Sequence, residues 1–169
     1  EAWIFQILVL GPGSQLVPLP DYDWDFKQLL LDSLGDDYYE VVTNQLFGLT
    51  VPTDDTLETF FRIQDQDVTI AKRHVETVGL PETIIFSENW FTPPLPPPIG
   101  SVEVLRGLSK ARLRIRGAEY TIANTHLEAF DPDVRRSQAQ QVGFELNDET
   151  DPIILAGDFN AQPGWPAYE

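Results

Sequence analysis

A β-hairpin pattern between residues 110 and 126 constrains the fold more than any other feature of the sequence. Residues 111 to 116 alternate apolar side chains with arginines, and residues 120 to 125 alternate again after a turn at 116–119. Strict alternation is typical of strands, so we predict a β-hairpin with one buried face. The arginines of the first strand then form either a solvated face or a phosphate-binding surface; they are Arg112, Arg114 and Arg116.

The segment after this hairpin predicts a helix and then another strand. Residues 133 to 147 are amphipathic, and PIILA at 152 to 156 reads as a buried strand. A strand, a helix and a strand in succession favour parallel pairing of the two strands, which indicates an α/β fold. The expected inner positions of the helix are Val134, Ala139, Val142 and Leu146.

Local patterns in the first hundred residues predict one more helix and several strands. Asp23 or Asp25 is expected to cap the helix, which ends at Gly35. Its apolar residues at helical spacing are Phe26, Leu29, Leu30 and Leu34. Strands are expected at 3–10, 38–46, 67–73 and 83–90, and a loop at 47–62. The segment FTPPLPPPIG at 91–100 predicts a stiff extended connection or, as the alternative, a docking segment for a proline-recognising partner. No internal repeat or linker divides the chain.

The composition limits the classes of partner. Acidic residues number 27 against 11 basic ones, which gives a formal net charge of −16. Such a field repels polyanions, so we expect no strong non-specific binding to nucleic acid. A divalent cation held by carboxylates would still allow an acidic protein to act on phosphates. The absence of cysteine excludes disulfides, thiolate metal sites and cysteine nucleophiles, and no apolar run is long enough to predict a transmembrane helix.

Methionine is absent from the chain, including position 1. We therefore expect residues 1–169 to be a single partial domain, cut from a longer reading frame.

Two predicted strands end in polar clusters, Asn124-Thr125-His126-Leu127-Glu128 and Gly157-Asp158-Phe159-Asn160. The carboxyl ends of parallel strands open on one edge of a sheet, where α/β proteins bind ligands. We therefore predict that Asn124, His126, Asp158 and Asn160 line one cleft.

These residue types suit the hydrolysis of a phosphate ester. An aspartate positions or deprotonates a water, an asparagine donates hydrogen bonds to an oxyanion, and a histidine stabilises or protonates a phosphoryl oxygen. With Mg²⁺ held by carboxylates elsewhere, the set fits metal-assisted phosphoester hydrolysis. Structural alternatives stay open: Asp158 bonding its own backbone in a turn, His126 as a structural histidine, and Glu128 either solvated or bound to a neighbouring backbone amide.

The two clusters, with the glutamine-rich helix RRSQAQQV at 135–142 between them, resemble the later motifs of the endonuclease/exonuclease/phosphatase superfamily. That superfamily includes deoxyribonuclease I-like nucleases, exonuclease III-like repair enzymes, neutral sphingomyelinases and inositol polyphosphate phosphatases. Residues 25–42 and 65–73 look like its early helix and strands, so the resemblance covers most of the chain. It implies a two-sheet β-sandwich flanked by helices, incomplete in this chain, and a Mg²⁺-dependent phosphoesterase, with Mn²⁺ as an alternative ion.

The resemblance also implies a role for each matched residue. Asp158 would orient or activate the attacking water, and Asn160 would hold the scissile phosphate. His126 would bond a phosphate oxygen, and Asn124 would support that strand end and contribute to substrate binding. Glu1 would be the Mg²⁺ ligand, as the last residue of an "LQE" motif.

The chain departs from the family pattern at both ends. The first family strand, with its asparagine, and the C-terminal "SDH" strand are absent, and the only other histidine, His74, does not match that motif. We therefore expect the fragment alone to be nearly inactive. The alternative is a binding or scaffold domain that kept the fold and lost the chemistry. The substrate of the parent protein, whether nucleic acid, nucleotide or lipid headgroup, is left open.

Overall fold

The computed structural model describes residues 2–11, 15–53, 56–95 and 100–168. Glu1 and residues 96–99 of the proline-rich segment lie outside the described residues. The elements within them are β1 (Ala2–Leu10), β2 (Leu16–Asp25), α1 (Phe26–Leu34), β3 (Tyr38–Pro52), β4 (Thr59–Lys72), β5 (Glu76–Ile85), β6 (Trp90–Phe91), β7 (Glu103–Val104), β8 (Gly107–Ile115), β9 (Ala118–His126), α2 (Pro132–Leu146) and β10 (Ile153–Asp158).

Two four-stranded sheets face each other and confirm the predicted β-sandwich. The first sheet has the order β2-β1-β4-β3, and the second has the order β10-β9-β8-β5. Alternating apolar side chains from both sheets meet between them, which removes apolar surface from water. This first core consists of Val42, Ala71, Ala111 and Leu113.

A second core lies between the second sheet and α2, which confirms the expected flanking helix. Its buried members are Phe86, Leu108, Ala123, Leu127, Val142 and Leu146. The hairpin β8–β9 is confirmed, and its turn at Arg116 and Gly117 has positive φ angles of 53° and 85°, as a type I′ turn requires. The prediction of a single buried face is wrong, because α2 covers the side of the hairpin that faces away from the first sheet.

Parallel pairing of β9 and β10 is confirmed, with the register running from Ile153 opposite Thr121 to Asp158 opposite His126. The prediction that this last strand is buried is wrong, since every residue of β10 is exposed. Among the described residues the strand forms the edge of its sheet, and α2 packs over β8 and β9 rather than over β10.

Other differences from the sequence predictions concern element boundaries. Residues 47–62 are not a loop, because β3 extends to Pro52 and β4 begins at Thr59, with Pro52 paired opposite Phe60. The strand expected at 83–90 is interrupted, because Asn89 donates a hydrogen bond to the Phe86 carbonyl and closes a turn. The strands at 3–10, 38–46 and 67–73 are confirmed, but β4 starts earlier than predicted.

Helix α1 begins and ends where the sequence predicts. Asp25 accepts a hydrogen bond from the Gln28 amide as the N-cap, and Gly35 with φ 73° is the C-cap. Its apolar side chains are not buried, however, and Leu29 is 54% exposed. Neither helix of the described part of the chain is long and apolar enough to cross a membrane.

A half-buried lysine ties the end of α2 to the second sheet. The Lys110 ammonium on β8 donates to Glu149 Oε1 at 3.0 Å and to the Glu145 carbonyl at 3.3 Å. Glu149 also accepts a hydrogen bond of 2.9 Å from the Thr121 hydroxyl. The hydrogen bond from Lys110 outweighs burial and lowers the pKa of Glu149. Burial by itself lowers the pKa of Lys110. The hydrogen bond to Glu149 and the nearby Glu82 together outweigh burial, so the pKa of Lys110 is raised.

The lowered pKa of Glu149 predicts a contribution to stability that acid removes. Because the carboxylate is favoured in the folded state, this contribution is full above the ordinary value of 4.5 and is lost as the pH falls through the lowered value. As the pH is lowered through the acidic range, the urea midpoint of unfolding should therefore fall less steeply for Glu149→Gln than for the wild type. Glu58→Gln, which changes an exposed carboxylate, should keep the wild-type slope; equal slopes in all three proteins would contradict the prediction.

Gly157 allows β10 to approach β9. Its φ is 139°, and a Cβ at this position would lie 1.9 Å from the Thr125 carbonyl oxygen. We expect Gly157→Ala to destabilise the protein by about 2 kcal/mol or more, because neither backbone can yield without breaking the pairing.

Thermal or urea unfolding checks this expectation. Gly143→Ala is the matched control, because Gly143 lies in α2 and a Cβ added there would meet no neighbouring atom within 4 Å. An exposed helical glycine changed to alanine should stabilise by roughly 0.5–1 kcal/mol. Similar unfolding curves for the two variants would show that the close approach is not required.

Candidate functional site at the ends of β9 and β10

His126 and Asp158 are register partners at the carboxyl ends of β9 and β10. Partners across a ladder point to the same face of a sheet, so the imidazole and the carboxylate share one side of this edge. The ladder continues one step further, since the Leu127 amide donates to the Asp158 carbonyl at 2.9 Å. The structure thus brings together two of the residues that the sequence analysis selected.

Asp158 and Asn160 form a tight turn. The Asn160 amide donates to Asp158 Oδ1 at 2.8 Å, and the Asn160 side-chain amide donates to the Leu127 carbonyl at 2.8 Å. Asn160 has φ 46°, a conformation that asparagine tolerates better than most residues. The turn considered as an alternative to a functional Asp158 is therefore present. It occupies Oδ1, and no hydrogen bond from the described residues reaches Oδ2.

A buried chain of charged groups holds His126, which is only 7% exposed. Arg106 Nη1 lies 2.8 Å from His126 Nδ1 and 2.8 Å from Asp65 Oδ2. Asp65 on β4 is fully buried, and Arg106 is 6% exposed. The histidine is thus positioned by the first sheet as well as by its own strand.

Sequence reasoning missed Asp65 and Arg106. Asp65 carried a weak signal, because it sits with Asp67 at alternate positions of a strand, and aspartates are rarely buried unless they are paired. Arg106 follows the short strand β7 and matches no pattern. Only the fold brings it to His126.

Asn124 lies on the same side of β9 as His126, two residues earlier. Its side-chain amide donates to the Val68 carbonyl on β4, with a separation of 3.4 Å. The residue is half-buried between the sheets, so its visible contact supports the strand end.

Glu128 is fully buried, which excludes the solvated alternative. Its Oε1 accepts a 2.7 Å hydrogen bond from the Phe130 amide, so the alternative of a bond to a neighbouring backbone amide is the correct one. Helix α2 fixes the same loop. Gln138 accepts from the Glu128 amide at 2.8 Å and donates to the Glu88 carbonyl, while Arg135 donates to the Glu128 and Ala129 carbonyls.

The described residues do not assemble a metal site by themselves. No group of three or more histidine, aspartate or glutamate side chains among them is arranged to hold an ion. Oxygen ligands are nearby, but Asp65 is bonded to Arg106 and Asp158 to its own turn. Glu1, the predicted Mg²⁺ ligand, lies outside the described residues. His74 is exposed in the turn between β4 and β5.

Comparison with solved structures finds several protein chains to which this chain is similar. No family model and no curated protein sequence matches the chain. An endonuclease/exonuclease/phosphatase from Bacteroides vulgatus matches with a TM-score of 0.46 and 20% identity, over 73% of this chain and 46% of that one. The human nocturnin catalytic domain with bound sulfate matches with 0.47 and 18%, over 86% and 50%. A mannosyl-6-phosphatase from Bacteroides thetaiotaomicron matches with 0.46 and 15%, over 79% and 46%.

The chain thus spans about half the length of these structures.

Gln138 is expected to be essential for the loop that carries Glu128. Gln138→Leu leaves the buried Glu128 amide without its partner, which should cost roughly 1–3 kcal/mol, and also removes the donor to the partly buried Glu88 carbonyl. Gln140→Leu is the control, because Gln140 lies exposed on the same helix. Urea unfolding should separate the two variants, and equal midpoints would show that the loop does not need this clamp.

Proposed function

We propose that the protein containing this chain hydrolyses phosphate esters by in-line attack of water at the edge formed by β9 and β10. One observation carries the proposal: His126 and Asp158 are register partners at the carboxyl ends of adjacent parallel strands. In the proposal, Asp158 is the proton acceptor and His126 the phosphate-binding donor of this pair. Such edges are where ligands bind in α/β proteins.

Asp158 is the residue that acts on water in this proposal. Its Oδ1 accepts the Asn160 amide, so the carboxylate is fixed by one oxygen and Oδ2 is its second acceptor. A fixed, exposed carboxylate accepts a hydrogen bond from a water and orients it toward phosphorus, or removes its proton as attack proceeds. The turn and the catalytic role are therefore compatible, since they use different oxygens.

Asn160 and His126 would hold the phosphoryl group. One N–H of the Asn160 amide is used by the Leu127 carbonyl, and the amide has a second N–H to donate to the scissile phosphate. His126 would donate to another phosphoryl oxygen. Asn124 supports the same strand end and would add a contact to substrate. Donors fixed in advance stabilise charge that develops on the oxygens in the transition state.

Metal dependence is part of the proposal, with Mg²⁺ as the preferred ion, Mn²⁺ as the alternative and Glu1 as the expected ligand. When bound, the ion would neutralise charge on the phosphoryl oxygens. The described residues by themselves form no complete metal site. The substrate class is a phosphate ester of a nucleic acid, nucleotide or lipid headgroup.

A binding domain without catalysis is the second candidate. It is favoured by the hydrogen bonds that Asp158, Asn160 and Asn124 already make within the protein. The two candidates differ in whether Asp158 affects turnover.

Asp158→Ala in the protein that contains this chain should lower Mg²⁺-dependent cleavage of bis(p-nitrophenyl) phosphate. The loss expected for removing a base that acts on water is roughly 10²–10⁴-fold. Asp148→Ala is the matched control, because this exposed aspartate follows α2 and bonds only the Asn147 side chain among the described residues.

The control should retain the wild-type rate, and chelation of the metal should abolish it in both proteins. Unchanged turnover in Asp158→Ala would remove Asp158 from the mechanism. A well-folded wild-type protein that cleaves nothing with Mg²⁺ or Mn²⁺ would favour the binding domain.

A further inference from the structure

We infer that Arg106, held by Asp65, fixes His126 as the neutral tautomer that carries its proton on Nε2. Arg106 Nη1 lies 2.8 Å from His126 Nδ1, and all three side chains are buried. The inference deepens the proposed function, on which its mechanistic meaning rests, because it specifies how His126 meets the phosphoryl group.

The assignment follows from which groups are able to donate. A guanidinium has five N–H donors and no acceptor, and it stays protonated in proteins. A hydrogen bond between Arg106 and Nδ1 therefore requires a lone pair on Nδ1. A neutral imidazole with a lone pair on one nitrogen carries its proton on the other, Nε2. An imidazolium has N–H groups on both nitrogens, so its Nδ1–H would point at an N–H of Arg106, and neither group could accept the hydrogen bond.

Arg106 decides this state against its acidic surroundings. Asp65 Oδ2 lies 4.0 Å from His126 Nδ1, and by itself this carboxylate would favour a proton on that nitrogen. Asp67 is on the same strand as Asp65, and Asp158 is the register partner of His126 on β10. These acids all favour the imidazolium. The Arg106 guanidinium lies between Asp65 and the imidazole ring. It pairs with the carboxylate and donates a hydrogen bond to Nδ1 of the ring.

The consequence is that His126 acts as a hydrogen-bond donor through Nε2, not as an acid that must first be protonated. A neutral donor holds a phosphoryl oxygen without changing its charge between about pH 5 and 8, the interval in which free histidines titrate. Arg106 and Asp65 are then positioning residues, since they act through His126.

Nitrogen NMR of histidine-labelled protein tests the inference directly in the wild type. The chain has two histidines, and exposed His74 is an internal reference in the same sample. We expect an unprotonated Nδ1 and a protonated Nε2 for His126 throughout about pH 5 to 8. A proton on His126 Nδ1 at neutral pH, in either the other tautomer or the imidazolium, would overturn the inference.

Variants of Arg106 test its cause. Arg106→Met keeps the side-chain volume and removes the donor, so His126 should gain a proton on Nδ1 as the pH falls within that interval. Arg106→Lys restores a cationic donor and should recover the Nε2–H tautomer. Arg112→Met removes an exposed arginine on β8 that pairs with Asp151, and it should leave the spectrum unchanged. If Arg106→Met gives the same spectrum as the wild type, Arg106 does not set the protonation state of His126. If this variant does not fold, the spectrum of the wild-type protein still decides the tautomer.

The spectra need no activity, so the two proposals fail separately. The expected tautomer in a protein without phosphoesterase activity would overturn only the proposed function. An active enzyme with His126 as an imidazolium would overturn only the tautomer assignment.

Discussion

The parallel pairing of β9 with β10 is the constraint on which the candidate site depends. His126 and Asp158 face each other in its register, and the Asp158–Asn160 turn bonds back to Leu127 across it. Such a pairing needs a crossover, which α2 supplies, and the helix is fixed at both ends. Arg135 and Gln138 hold the loop after β9, while Lys110 holds the residues after α2 through Glu149.

The buried contact between Asp65 and Arg106 contributes to the position of His126 more than to the stability of the fold. Taking two charges out of water costs several kcal/mol for each ion, and a paired geometry offsets roughly that amount. Apolar residues of similar size would pack there at no such cost. What they would not supply is a donor aimed at His126 Nδ1. Removing one partner alone leaves the other charge buried, so the two residues and the histidine depend on one another.

Local patterns were sufficient to predict the elements around β10 and not the contacts between sheets. Alternation in β8 and β9, the cap at Asp25 and the crossover helix are encoded within a few residues of one another, so the hairpin, α1 and the His126–Asp158 edge could be predicted. Arg106 meets Asp65 across 41 positions of sequence, and nothing near either residue indicates the other. The apolar run of β10 indicated burial, because hydropathy alone does not tell which strand lies at the edge of a sheet.

The charge pattern shows how phosphate would have to be recognised in such an acidic protein. The arginine stripe does not provide the site: Arg112 pairs with Asp151, and Arg114 pairs with Glu76 and Glu119, so the solvated alternative accounts for these two side chains. Arg106 is taken up by Asp65 and His126. Among the described residues of the β9–β10 edge, the proposed phosphate contacts are N–H donors of Asn160 and His126, next to the carboxylate of Asp158. Neutral donors orient a phosphate but do not cancel its charge, and Asp158 adds repulsion. A hydrolase built on this edge therefore needs a cation from outside the side chains, which is the physical reason for including a divalent metal in the proposal.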